Sequence, residues 1–297
     1  AVEAFVNGRN AGRVVVGDIG RREARFTTDR VVPLEVGTNH VTFRATTTAG
    51  LFAQSNTVTF EVPRLQDDEG GRLVVLAAGI DAYRGEITPL RSAAADAMSF
   101  VEVVRAHLPS VYREMEATLL LDDGATRDAI LRELRSYATS TAREDAVLVY
   151  LAGHGVTTAD GEYHFVTHDA TTVEGIARDG LGGAGLAAQL AEIPSAKVFL
   201  FLDTCYAGAI DSRMPGYLSN ASGRLILAAS TAEEEALDTL GENGLFNTAV
   251  QQALEGDWID AEVVDALDLG AQVRRVVHRL ADDVGHRQSA VFMATGL

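Results

Sequence analysis

The hydrophobic rhythm of the chain changes near residue 71. Before it, short runs alternate apolar and polar positions: 4–6, 13–16, 25–27, 40–45 and 56–62. Turn signals part them at Asn7-Gly8, Gly37-Thr38-Asn39 and Ala49-Gly50. Period-two runs bounded by such turns predict short antiparallel strands, arranged as a small sandwich over residues 1–63. Residues 64–71 belong to a polar, charged stretch that ends in two glycines and reads as a linker.

From 72 to 297 the pattern is different. Continuous apolar runs at 72–79, 117–121, 146–153, 197–203, 224–229 and 290–294 alternate with helical stretches at 92–107, 126–139, 185–192, 246–254 and 260–280. Thr126 stands where an N-cap belongs, and 163–167 reads as part of a short hairpin. Strands buried on both faces and separated by helices predict an α/β fold: a mostly parallel sheet of six strands flanked by helices.

Composition narrows the function. Hydrophobic residues make up 47% and charged residues 23% of 297, an ordinary globular balance. Asp and Glu number 42 against 25 Lys and Arg, a net charge of −17. Such a surface repels phosphate backbones, so nucleic acid is not expected as a partner, whereas basic segments are attracted. No apolar run approaches the ~18–20 residues that span a bilayer. The chain opens on Ala1 and reads as a processed or trimmed piece, so the compartment is left open, as is a first β-strand upstream of Ala1. Cys205 is the one cysteine, which makes it either a small buried residue or a reactive thiol.

In an open α/β sheet, ligands bind beyond the carboxyl ends of the strands. The run at 146–153 delivers His154-Gly155 to that rim, and the run at 197–203 delivers Asp203-Thr204-Cys205-Tyr206-Ala207-Gly208. An imidazole beside a thiol can generate the thiolate nucleophile, and the N–H groups of Gly155 and Cys205 are candidates for an oxyanion hole.

The segment VLVYLAGHG, followed about 50 residues later by VFLFLDTCYAG, resembles the caspase and metacaspase group of cysteine peptidases. LRSAAADAMSF, FVTHDA and LILAASTAEEEALD with GLFNTAVQQALEG extend the resemblance over 71–297. The first 63 residues more generically resemble a bacterial immunoglobulin-like module. The resemblance implies a caspase-like domain at 72–297 in which His154 is general base and acid and Cys205 the nucleophile. It also implies that Asp203 and Asp96 line the pocket for the residue before the scissile bond (P1), with Ala229 and Ser230 bordering the channel. Two carboxylates there favour Arg or Lys at P1, so the expected partners are proteins or peptides with a basic P1. Tyr206 and Ala207 depart from the small or polar residues usual after the cysteine.

The loop 209–223 is of the kind cut during activation in the family, which makes Arg213 and Arg224 candidate self-cleavage points. No metal or other cofactor is expected. Some metacaspases need calcium, but Asp122, Asp123, Asp169, Glu174 and Asp179 do not follow a calcium-loop spacing. Plain readings stand beside these: a helix-start acid for Asp96, a strand-end cap for Asp203, and a solvated loop for Glu233-Glu234-Glu235. Two rivals stay open: an inactive caspase-like scaffold, and a clan relative with another P1 preference. The β module is expected to recruit a regulatory protein or to regulate the peptidase domain directly.

Overall fold

The computed structural model describes residues 2–14, 37–47, 51–62, 71–108, 112–210, 223–234, 236–237, 243–255 and 266–295. The chain divides into two units, Ala1–Asp68 and Glu69–Leu297. Among the described residues, no helix is long and apolar enough to cross a membrane.

In the first unit, β1 (Val2–Val6), β2 (Arg9–Val14), β3 (Gly37–Thr46), β4 (Phe52–Gln54) and β5 (Val58–Val62) form one antiparallel sheet. Asn7 and Gly8 both take positive φ, 50° and 81°, as a two-residue hairpin turn with the strands' own twist requires. The Asn7 side-chain oxygen also accepts the His40 N–H. The described strands of this unit all belong to that one sheet. The expected strand at 25–27 lies outside the described residues.

The second unit begins with β6 (Arg72–Gly79), α1 (Ala93–His107), β7 (Glu114–Leu121), α2 (Arg127–Ser140) and β8 (Ala146–Ala152). Next come β9 (Gly155–Thr157), β10 (Tyr163–Phe165), α3 (Ile176–Asp179), β11 (Leu181–Gly182) and α4 (Gly183–Glu192). β12 (Lys197–Asp203), β13 (Arg224–Ala228), α5 (Leu245–Leu254), α6 (Ala266–Asp283) and β14 (Val291–Thr295) complete it. The main sheet runs β14-β13-β12-β8-β6-β7, and only β14 is antiparallel to its neighbour. β11, β10 and β9 form a separate antiparallel sheet.

Alternation along the strands divides the core. Val74, Leu76, Val147, Val149, Leu200 and Leu202 pack with Ile130 and Leu134 of α2 and Leu186 and Leu190 of α4. Leu73, Val75, Leu148, Tyr150 and Phe201 face Phe100 of α1, Phe246 of α5 and Val273 of α6. Each large apolar side chain so buried contributes about 1.5–3 kcal/mol. The Phe100 ring stacks on Tyr150 at 4.4 Å, adding about 0.5–1.5 kcal/mol beyond its area.

Boundaries move where tertiary context overrides local pattern. β7 is an edge strand, and its Glu114 and Glu116 blur the apolar run, so it starts three residues before the expected 117. α4 starts at Gly183, a poor helix former on its own, because that residue is buried against Ile210 and the Tyr163 carbonyl. Thr126 caps α2 as expected, accepting the Ala129 N–H at 3.2 Å. α1 is capped differently: the Asp81 carboxylate, from the loop after β6, accepts the N–H groups of Ala93 and Ala94.

Candidate active site

Parallel register builds the site. Leu202 pairs with Leu151 and Asp203 with Ala152, so β8 and β12 end at the same height. Two residues beyond each end stand His154 and Cys205. Both line one cleft, together with Leu90, Ala93, Asp96, Gly153, Asp203, Thr204, Ala236, Leu237 and Gly244.

His154 is held by the loop between β6 and α1. Its Nε2 lies 2.7 Å from the Thr88 carbonyl oxygen. A carbonyl only accepts, so Nε2 carries the proton and Nδ1 is the basic nitrogen of the neutral ring. The main-chain N–H of His154 donates to the Tyr83 hydroxyl at 2.8 Å, and the two rings are 4.9 Å apart. Burial pushes the Tyr83 phenol well above its usual range, so it stays protonated and donates on to the Val166 carbonyl. The loop is itself anchored: Asp122 accepts the N–H groups of Asp81 and Ala82.

Cys205 sits on a tight turn, half-buried, its thiol 3.8 Å from the Ala236 carbonyl. Tyr206 follows with φ +56°, the left-handed region that a bulky residue seldom enters, and its N–H donates to the Glu234 carbonyl. Gly155 is pressed against this turn. A Cβ there would lie 2.3 Å from the Cys205 oxygen and 2.6 Å from Thr204 Oγ1, so only glycine fits.

Asp203, 9% exposed, accepts the Tyr150 hydroxyl at 2.6 Å. Burial, and then the nearby charges of Asp203 and Asp96, push that phenol far up and keep it a donor. Asp96, 3% exposed, accepts the Gly244 N–H and the Asn247 side-chain N–H. It therefore ties α1 to the start of α5 while facing the cleft. No Lys or Arg is among the described walls.

Other expected site residues fall elsewhere. Ala229 and Ser230 are buried and do not line the cleft: β13 ends at Ala228, and the Ser230 hydroxyl turns to the Thr204 carbonyl. Arg224 opens β13 and is not part of an accessible loop. It is 4% exposed, and its guanidinium donates to the carbonyls of Leu190, Ile193 and Ser195. Burial draws its pKa down. A protease cannot reach it without pulling β13 from the sheet. Arg213 lies outside the described residues. Within the Glu233-Glu234-Glu235 run, the Glu234 carboxylate is not simply solvated, since it accepts from Ser289 and Arg287, and Glu235 lies outside the described residues.

Among the described residues, no group of three or more His, Cys, Asp or Glu is placed to hold a metal ion. The acids singled out in the sequence have other work: Asp122 anchors the loop after β6, Asp169 accepts the Arg127 N–H, and Asp179 pairs with Arg178.

Three groups at the site were missed in the sequence. The Thr88 carbonyl has no side-chain signature. Tyr83 sits in an unremarked loop. Tyr150 did leave a signal, as the one polar-tipped residue in the apolar run at 146–152, whose hydroxyl has to find a partner.

A family model described as the caspase domain matches residues 72–295. The crystal structure of a protein from Geobacter sulfurreducens aligns with a TM-score of 0.55 at 15% identity, covering 76% of this chain and 94% of that one. A likeness at that identity speaks to the fold alone. No curated protein gives a match.

Proposed function

The chain belongs to the caspase-domain family of cysteine peptidases, and from that membership we propose that Cys205 and His154 act as a catalytic dyad that cuts after Arg or Lys. One observation carries the specificity: the cleft shared by His154 and Cys205 is walled by two buried carboxylates, Asp203 and Asp96, with no Lys or Arg among its described walls. An acidic P1 side chain would be repelled there, and a guanidinium or ammonium would find charge-assisted acceptors. The Tyr150 hydroxyl donates to one Asp203 oxygen and so helps to keep the carboxylate at the cleft wall.

The chemistry follows from the tautomer. Nδ1 of His154 takes the thiol proton, because Nε2–H is committed to Thr88. The Cys205 thiolate attacks the carbonyl carbon of the scissile peptide. The N–H groups of Gly155 and Cys205 stabilise the tetrahedral oxyanion. As the C–N bond breaks, Nδ1–H gives its proton to the leaving amine. Water, deprotonated by the same nitrogen, then hydrolyses the thioester and restores the thiol.

The test is to incubate the purified chain with fluorogenic peptides bearing Arg, Lys or Asp at P1, with and without calcium, beside Cys205→Ala. The expected result is release after Arg and Lys by the wild type alone. Preference for Asp would overturn the role of the two acids. Equal silence of both proteins on every peptide would leave the inactive-scaffold reading.

A further inference from the structure

The cleft wall opposite the thiol belongs to the segment that leaves β13, and this segment reaches the nucleophile turn at four points. The Ser230 hydroxyl donates to the Thr204 carbonyl at 3.2 Å, and Gly208 N–H donates to the Ser230 carbonyl at 2.9 Å. Tyr206 N–H donates to the Glu234 carbonyl at 3.1 Å. The Cys205 thiol faces the Ala236 carbonyl at 3.8 Å. Ala236 and Leu237 are themselves walls of the cleft. Whatever fixes this segment therefore fixes both the substrate wall and the turn that carries the sulfur.

What fixes it lies outside the cleft, on the chain just before β14. Gln288 is 2% exposed and uses both ends of its carboxamide. Its oxygen accepts the Leu237 N–H at 2.9 Å, and its nitrogen donates to the Ala229 carbonyl at 3.0 Å. It thus closes the segment on itself, tying the exit of β13 to the wall. Leu237 is gripped on its other side too, its carbonyl accepting the N–H of Leu245 at the start of α5. A second arm lies beside the first: the Glu234 carboxylate accepts Ser289 N–H at 2.9 Å, the Ser289 hydroxyl at 3.3 Å and Arg287 Nε at 3.1 Å.

We propose that Gln288 is a positioning residue of the peptidase site, setting from behind the cleft where Leu237 and the Ala236 carbonyl stand relative to Cys205 and the bound substrate. The proposal rests on the peptidase reading for its kinetic consequence. A Leu side chain at 288 has nearly the same shape but neither donor nor acceptor, and leaves two backbone groups without their partner. Glu keeps an acceptor for Leu237 and loses the donor to Ala229.

The experiment compares wild type, Gln288→Leu and Gln288→Glu in the full chain by three readouts. Hydrogen exchange follows the Leu237 and Tyr206 amides. Iodoacetamide measures the alkylation rate of Cys205. Steady-state kinetics on an Arg-P1 peptide separate KM from kcat. For Gln288→Leu, faster exchange confined to those amides is expected, with alkylation changed at least about threefold by the altered exposure of the thiol. KM should rise about tenfold with kcat within about threefold, as loss of substrate positioning predicts. Gln288→Glu should fall between the two. Unchanged exchange, alkylation and KM would overturn the proposal, as would exchange that rises uniformly through the core strands. If Gln288→Leu does not fold, Gln288→Glu and Glu234→Gln carry the same readouts. If the wild type cleaves nothing, the peptidase reading fails alone, and exchange and alkylation still decide the role of Gln288.

Discussion

The hydroxyl of Tyr83 accepts the main-chain N–H of His154 at 2.8 Å and donates to the Val166 carbonyl at 3.2 Å, so one phenol oxygen fixes the peptide that carries the imidazole. Tyr83→Phe deletes that oxygen and little else. It leaves two backbone groups unsatisfied, a destabilisation of about 1–3 kcal/mol. The imidazole also loses its alignment, so kcat should fall about tenfold while KM stays near wild type. Thermal melts and initial-rate kinetics check both, and an unaltered kcat would remove Tyr83 from the positioning of His154.

Gly155→Ala tests how closely β9 approaches the nucleophile turn. The new methyl would meet the Cys205 carbonyl oxygen at 2.3 Å, and a backbone atom does not swing aside as a side chain does. The turn has to shift, and a displacement near 1 Å at a reacting group costs about 10²-fold in rate. Circular dichroism should report a folded chain whose kcat/KM is lower by that order. Wild-type activity would mean that the turn does not sit against Gly155 in solution.

Asp203→Asn keeps the shape of the carboxylate and removes its charge. A charged hydrogen bond to a P1 guanidinium is worth about 1.5–3 kcal/mol, so kcat/KM for Arg substrates should drop roughly 10- to 100-fold. Peptides with a neutral P1 should be unaffected or improved. A parallel loss on both kinds of substrate would assign Asp203 to holding the strand end instead.

Acid stability should report on Asp145, at the opposite end of β8 from the site. Burial pushes its carboxyl up, but the N–H groups of Ala142 and Arg72 and the Arg72 guanidinium outweigh this, and the net shift is downward. A group depressed on folding stabilises above its unfolded pKa, near 3.9 for Asp, and that contribution is lost as pH falls through the folded value. Wild type should therefore lose stability in chemical denaturation below about pH 4. Asp145→Ala should be destabilised at neutral pH by about 3 kcal/mol, and the difference should shrink towards pH 2. Parallel pH curves for the two proteins would contradict the shift.

The fold of the second unit was largely legible because its strands announce themselves. Runs such as 72–79 and 197–203 are apolar on both faces, and only a covered parallel sheet needs that. That His154 and Cys205 share one cleft followed from the same fact, since two such strands end in His154-Gly155 and in Asp203-Thr204-Cys205. The channel border was harder. Ala229 and Ser230 follow a strand as His154 does, but β13 ends level with Leu151 and Leu202, one step short of Ala152 and Asp203, and the Ser230 hydroxyl turns back to Thr204; an offset of one residue leaves no trace in hydropathy. Arg224 misled for a different reason. A basic residue after a polar loop reads as exposed, and only the fold reveals that the end of α4 presents carbonyls able to receive a guanidinium.

The acceptor for His154 Nε2 is a peptide oxygen, and every amino acid brings the same oxygen to position 88. No codon change there can delete it, so that partner is shielded from mutational drift in a way that Cys205 and His154 are not. Its aim is what can wander. Pro89 follows it, and proline restricts the backbone of the preceding residue, so replacing Pro89 removes that restriction on the oxygen's direction. Sequence drift that spares both Cys205 and His154 then still reaches the imidazole, by loosening a neighbour that touches neither.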